Sequence, residues 1–523
     1  MESVQNVLSK LGITSDAPTA TAYKVSLSPS IKGIYSVHDP TKESAEMASR
    51  LLQENHEKHD LFFNEEGFHN HIVHQVLTLY GLGAPAEVIK EHYDNNTDYQ
   101  KPLPPVHVKD VKDMRDPAVF KQHLGDRKYI ADYEKFFAKE IEEKGTDAVL
   151  QEWVFGGSEI AEDMLVRLFM GFLHPFIHLG FGLEFQQPSI VAEALASAAV
   201  HENWLTDFFH QSEELAKANG NPSKPLLSFL EDAAADPKIK NSAQFDDANK
   251  FSDGVLARAF PEITSLCGQY AVASSPSLPA GSEKLLRQKV AEIQNIAAYM
   301  TIAAQNPPKA LLFDFYYMHA INCSIFLSTI IAHPALSAAA KRRVVEWTGR
   351  YVVLMYVSRH CAALRGEEIA QYVPRDMEAA SSGSWNALAG RLFKLSQDDG
   401  HAVKLLRAVA HAAETSKEFT EDEGGDLDKV KKEFTDNPAS EQKGPSAEFR
   451  IVGGEEHRVG PSAGKAWPLK DWLWGKAGAM VVDGVEEGHG REGGGGQGLW
   501  GRSVGWEEAW KDVPERSERR GDI

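Results

Sequence analysis

The 523-residue sequence predicts an all-α fold, a single large multi-helix domain followed by a polar, partly disordered C-terminal tail. Apolar residues recur at helical spacing through most of the chain, and runs of alternating β-branched residues bounded by turns are scarce. A hydrophobic content of 42% over this length is enough for one large core. Helices are expected over 44–59 and 68–82; the second stops at Gly81 and Gly83 with Pro85 just beyond, the usual end chemistry. Others follow over 85–93, 116–125, 129–143 and 145–154. Ser158 is placed to N-cap a long apolar helix. Pro175 lies inside it, lacks an N–H and collides with the carbonyl of Gly171, so a kink is expected there. The remaining helices are expected over 189–217, 283–304, 308–332, 337–364 and 384–414, while the polar stretch 218–252 reads as a surface excursion.

The helical domain is assigned to residues 1–414, a disordered polar linker to 415–465, and a Trp-rich tail with a glycine insertion to 466–523. Six of the ten tryptophans (Trp467, Trp472, Trp474, Trp500, Trp506, Trp510) fall in that tail, which suggests segments that dock on the folded body.

A formal charge of −20 without a basic stripe argues against nucleic acid and anionic lipid as partners. The stretch Leu165–Phe185 is long enough to cross a bilayer, but Arg167, His174, His178 and Glu184 within it favour a buried helix over a membrane span. Cys267, Cys323 and Cys361, widely spaced in apolar segments, read as buried thiols of a reducing compartment. With no basic-then-apolar leader at the N-terminus, a cytoplasmic location is expected.

No Walker A loop, GxSxG elbow, CxxC pair or HExxH is present. Gly81-Leu82-Gly83-Ala84-Pro85-Ala86 matches GxGxxA but ends a helix, so it lacks the strand-to-helix context of a dinucleotide site. What stands out is histidine, 20 in all. His69, His71 and His74 fall within GFHNHIVHQVLTLYGLGA; His71 and His74, three apart, leave one helix face. His174 and His178 in FLHPFIHLGFGLEF are four apart, His319 stands on an apolar helix, and His401 lies one turn before Lys404.

Buried imidazoles must be hydrogen bonded or coordinated, and helix-borne pairs are how helical bundles build metal sites. The alternative is that each ring bonds a neighbouring carbonyl. His56 and His59 have the same HxxH spacing among charged neighbours and read as solvated. Lys404, if buried beside cations, would lose its proton and accept carbon dioxide to become a carbamate ligand; otherwise it is a solvated helix lysine. Glu159 and Glu162 suit acid/base roles or first-turn carboxylates, and Tyr270, Tyr316 and Tyr317 suit proton donation or core packing.

At these same residues the sequence resembles the questin oxidase family of fungal secondary metabolism, through FHNHIVHQVLTLYGLGA, HPFIHLGFGLEF, FYYMHAINCSIFL and DDGHAVKLLRAVAH in that order. The resemblance covers roughly residues 20–414, and WGKAGAMVVDGVE and VGWEEAWKDVPER resemble the family's C-terminal end; the glycine-rich stretch around 488–498 and the long polar linker depart from it. It implies an oxygenase that opens the central ring of a polyketide anthraquinone with O2. NADPH is the reductant, acting directly or through a partner reductase. Of the family's two accounts, Baeyer-Villiger-like or non-haem iron, the histidine cluster favours iron. Fe(II) is then expected on His174, His178, His319 and one of His71 or His74, with His74 taken as the ligand. His71, His401 and Lys404 are taken as catalytic residues, with a carboxylated Lys404 as the fifth candidate ligand. The competing readings are a metal-free NADPH-dependent Baeyer-Villiger-type oxidase, with the histidines as acid and base, and a non-catalytic helical binder of hydrophobic polyketides. An apolar pocket is expected where the helix around Gly171 and Pro175 meets that of His319, walled by Phe172, Phe176, Phe181, Phe315 and Tyr316.

Overall fold

A computed structural model describes residues 19–109, 111–221, 224–272, 282–378, 384–420, 467–470, 472–489 and 500–516. The all-α expectation holds. The longer helices, in order, are α1 Lys42–Lys58, α2 Ile72–Leu82, α3 Ala86–Thr97, α4 Ile130–Lys144, α5 Glu159–Leu168, α6 His174–Glu184, α7 Pro188–Val200 and α8 Thr206–Ala218. They continue as α9 Leu226–Ala235, α10 Ala257–Cys267, α11 Glu283–Ala303, α12 Phe315–Ala332, α13 Ala338–Ser358, α14 Trp385–Leu392, α15 His401–Thr420 and α16 Trp472–His489. Among the described residues the one sheet has two short parallel strands, β1 Phe313–Asp314 and β2 Trp500–Gly501. One continuous apolar core runs through nearly all of these helices, and all three cysteines are free and buried in it.

Several expected helices are divided, each for a local reason. The long helix around Pro175 is two helices meeting at 66°. The break falls at Gly171, Phe172 and Leu173, all with positive φ, and Pro175 sits in the first turn of α6, where its missing N–H costs nothing. Residues 308–312 do not continue α12, because Ala310 N–H donates to Pro514 O and Phe313 pairs with Trp500. Helix α13 stops at Ser358 because His360 and Cys361 take positive φ. The expected helix 384–414 is broken between α14 and α15, and 189–217 is broken at His201. The segment 218–252 is not wholly a surface excursion: α9 buries Leu226, Phe229, Leu230 and Ala233 and packs on α13. Helices α10 and α16 lie outside the predicted set.

The C-terminal segments dock as their tryptophans suggested, with Trp467, Trp474, Trp500 and Trp510 buried. Asp314 is the joint. One of its oxygens accepts from Tyr316 N and Tyr317 N, capping α12, and the other accepts from Ser503 N and Val504 N at 2.8 and 3.0 Å. The disordered-linker reading for 415–465 lies mostly outside the described residues, although α15 runs on to Thr420.

Four helices form a closed ring: α2 packs on α6, α6 on α12, α12 on α15, and α15 on α2. Helix α12 is the one described helix both long and apolar enough to cross a membrane, and it is largely buried against these neighbours. The ring turns the N-terminal ends of its helices inward, since His71 is the N-cap residue of α2, His174 and His401 begin α6 and α15, and His319 lies in the second turn of α12.

Candidate metal centre

Two loops aim these helix ends. Before α6, Gly171 (φ +52) closes on the ring of His201, where a Cβ would come within 2.2 Å of Nε2. Before α15, Gly400 (φ +98) lies against Gln75 of α2, which would stand 2.8 Å from an added Cβ. Gln75 Nε2 donates to Asp398 O at 2.6 Å, and the Asp398 carboxylate accepts from Gly400 N and Ala402 N, so α15 starts at a fixed place on α2.

One nitrogen from each of His71, His174, His319 and His401 lies within 4.8 Å of the others, and all four residues are buried. Hydrogen bonds fix three tautomers. His174 Nδ1–H donates to Gly171 O at 2.6 Å, His319 Nδ1–H to Phe315 O at 2.6 Å, and His401 Nδ1–H to Asp399 Oδ1 at 2.5 Å. With Nδ1 donating in each case, Nε2 of the neutral ring keeps a lone pair. His174 Nε2 and His319 Nε2 face each other at 3.3 Å, His71 Nε2 stands 3.0 Å from His174 Nε2, and His401 Nε2 has no hydrogen-bond partner. Burial holds all four rings well below the usual imidazole range; the Lys404 amine adds to it for each, as does the neighbouring His319 for His174 and His401 for His319. Neutral imidazoles with converging lone pairs are the donor set of a divalent transition metal, and ligand nitrogens backed by carbonyl or carboxylate acceptors are its usual second layer. The residues fit such an ion.

Lys404 is 4% exposed with Nζ unpartnered, and burial brings its pKa down to about 8 against the pull of Asp399 and Asp398. About a tenth of the amine is then neutral at pH 7, far more than for an ordinary lysine. His74, also expected as a ligand, is buried beside the quartet with both ring nitrogens unpartnered, its ring 5.5 Å from that of His71 and 5.2 Å from that of His178. His178 is not brought into the quartet: its Nε2–H donates to Glu193 at 2.7 Å. The same carboxylate accepts from His56 Nδ1 at 2.6 Å, and Glu134 lies 3.6 Å from that nitrogen. His56, read as solvated, is thus held in a buried network, because Glu193 of α7 reaches it from 137 residues away. His201, which sequence reading missed, lies with His69 behind His174, Nε2 to Nε2 at 3.1 Å, and the His69 and His174 rings stack at 4.1 Å. His201 has no local signal, being a lone histidine after an alanine-rich helix.

Glu159 and Glu162 pair with Lys121 and Arg343, away from the quartet. Tyr270 and Tyr317 are fully buried core residues. The expected pocket is present in altered form. Phe172 and Tyr316, their rings 4.5 Å apart, line an open cleft of about 160 Å³, whereas Phe176 and Phe181 are packed in the core. Phe315 separates the cleft from the quartet: its ring is 5.5 Å from Tyr316, 4.5 Å from His319 and 5.1 Å from His401.

Residues 68–409, which contain all four quartet histidines and Lys404, match the family described as questin oxidase-like. The chain is 35% identical to "Baeyer-Villiger oxidase ptaJ" of Pestalotiopsis fici, over 79% of this chain and 90% of that protein. It is 37% identical to "Oxidoreductase AflY" of Aspergillus parasiticus, over 79% and 81%, and 34% identical to "Questin oxidase" of Aspergillus terreus, over 77% and 89%.

Proposed function

This chain belongs to the questin oxidase-like family and is an oxidoreductase, and on that premise we propose that it opens the central ring of an anthraquinone-type polyketide with O2 at a ferrous ion held by His71, His174, His319 and His401. The observation that carries the proposal is the convergence of four buried imidazole nitrogens, three of them with the lone pair fixed inward by a hydrogen bond at Nδ1. Ferrous iron, when bound, supplies the one-electron chemistry that lets dioxygen react with an organic substrate.

The chain's own residues do the rest. Gly171 O, Phe315 O and Asp399 hold the Nδ1 protons and so keep Nε2 available. Lys404, buried with its pKa lowered to about 8, has a minor neutral form that can take up carbon dioxide as a carbamate and supply the anionic oxygen that an all-histidine donor set lacks. Phe172, Tyr316 and Phe315 give flat surfaces for an aromatic ring system beside the quartet. NADPH, directly or through a reductase, reduces the quinone to an electron-rich hydroquinone.

A second reading is favoured by the names of the relatives. In a Baeyer-Villiger-type oxidation the same histidines would act as acid and base without metal. One experiment separates the two. The protein, reconstituted with Fe(II), is given a hydroxylated anthraquinone, reductant and ¹⁸O₂; oxygen uptake with label in a ring-opened product, abolished by chelator, supports the iron reading. Full activity in chelator would transfer the case to the metal-free reading, and label arriving only from water would end the oxygenase proposal.

A further inference from the structure

The cleft beside the quartet is cationic in a chain that carries 75 acidic against 55 basic residues. Lys250, Arg359 and Arg502 line it and no carboxylate does. Arg359 is the most telling of these. It is 3% exposed, its guanidinium carbon stands 3.6 Å above the Tyr316 ring, and Nη1 donates to Ser503 Oγ at 3.4 Å, while Nε has no hydrogen-bond partner. Among the described residues no carboxylate reaches Arg359 as an ion pair. The nearby Asp314 already accepts from four backbone N–H groups. Lys250 Nζ donates only to the carbonyls of Phe245 and Asp247.

A buried cation that makes no ion pair is costly: Asp314 attracts Arg359 without contacting it, and an anionic ligand in the cleft would meet it directly. The cleft wall beneath Arg359 is aromatic, Tyr316 with Phe172 4.5 Å away. We infer that this cleft is an anion subsite for the aromatic substrate: the ring system lies against Phe172 and Tyr316 while an ionised carboxylate or phenolate on that ring is held by Arg359 and Lys250. This deepens the proposed function and rests on its aromatic-substrate reading. The chemistry is coherent, because an ionised hydroxyl makes the ring easier to oxidise and a fixed anion sets which ring edge faces Phe315 and the quartet.

The test is anaerobic binding without reductant to the full-length protein, using anthraquinone-2-sulfonate, which is permanently anionic, and 2-(hydroxymethyl)anthraquinone, which is neutral. The sulfonate is expected to bind at least about tenfold tighter and to weaken with salt. Arg359→Met should remove that preference while leaving the neutral probe's affinity within about twofold, and Arg359→Lys should keep part of it. Should Arg359→Met fail to fold, Lys250→Gln gives the same readout from the cleft mouth. Equal affinity for the two probes would overturn the anion subsite and leave the proposed function standing. Competitive displacement of the sulfonate by NADPH, lost in the same variants, would overturn it in favour of a nucleotide phosphate site. Binding of neither probe would refute both the subsite and the aromatic-substrate reading.

Discussion

Glu193→Gln keeps the shape of a buried side chain and removes the charge that holds two histidines. In the wild type, Glu193 is 2% exposed and accepts from His178 Nε2 and His56 Nδ1. Burial acts against the charge on His56, but the hydrogen bond and charge of Glu193 prevail and raise its pKa from 6.5 to about 9; Glu193 itself is held down, to about 2. The His56 shift corresponds to about 3 kcal/mol, at the lower end of what breaking a buried ion pair costs. A histidine raised on folding contributes fully below its unfolded value of 6.5 and loses that contribution as pH rises through about 9. The lowered carboxylate contributes above 4.5 and loses it as pH falls towards 2. Between pH 5 and 6.5 the variant should therefore be destabilised by about 3 kcal/mol. Above pH 9.5 His56 is neutral, and the variant loses only the two imidazole hydrogen bonds to the carboxylate, offset by the charge it no longer buries, about 1 kcal/mol net. Glu134 is raised to about 8, chiefly by burial and also by the Glu193 charge, so the variant eases its ionisation and recovers a small part of the loss where Glu134 titrates. With an unfolding entropy of about 2 cal/mol/K per residue, a chain of this length loses about 1 °C per kcal/mol. The assay is the thermal midpoint by circular dichroism, in chelator so that metal binding is held constant. A deficit of about 3 °C at pH 6 that narrows to about 1 °C at pH 9.5 is expected. A deficit unchanged across that range would show that Glu193 acts through packing and not through its charge.

Asp314→Ala leaves four backbone N–H groups without their acceptor, and a loss of about 2–4 kcal/mol is expected, together with faster proteolysis within residues 500–516; Asp314→Asn should recover part of both. At Gly180 an added Cβ would lie 2.1 Å from Phe326 Cγ, so Gly180→Ala should cost about 1–3 kcal/mol of stability in denaturant titrations, and an unchanged midpoint would contradict the packing described. Deleting residues 421–465 in place should affect activity less than deleting 466–523, because the second cut removes α16, Trp500 and the partner strand of β1; equal loss in the two would count against docking of this end. Lys404→Met should abolish turnover with little change in the thermal midpoint, and turnover unaffected by this change would remove Lys404 from the site.

The helical class was legible because helices such as α1 and α4 keep apolar residues at helical spacing while α6, α7 and α12 run apolar for longer than a strand does, and the histidine-rich segments of α2, α6, α12 and α15 were legible because imidazole is rare in such apolar surroundings. The division of labour among the histidines was not. His174 and His178 share a face at four-residue spacing, yet one turn of rise, about 5.4 Å, separates a ring at the helix end from one facing α7. Which ring joins the quartet depends on the Gly171 turn, and His401 joins it through the Gly400 loop fixed on Gln75. Those contacts join residues far apart in the chain, Gly171 with His201 and Gly400 with Gln75, and leave no local spacing to read. The same holds for Glu193, an ordinary glutamate in the sequence that becomes the acceptor for His56 and His178 only when α1, α6 and α7 meet. Polar composition also concealed α9, whose Leu226, Phe229, Leu230 and Ala233 lie on one helical face within an otherwise solvated stretch.

The central claim is that four particular nitrogens hold one ferrous ion. Anaerobic reconstitution with Fe(II), removal of excess metal and elemental analysis test it most directly. About one iron per chain is expected for the wild type and for His178→Ala, whose side chain bonds Glu193, while His319→Ala and His401→Ala should retain little iron at unchanged helical content. Iron lost from His178→Ala but kept by His401→Ala, or no iron retained by the wild type, would contradict the account.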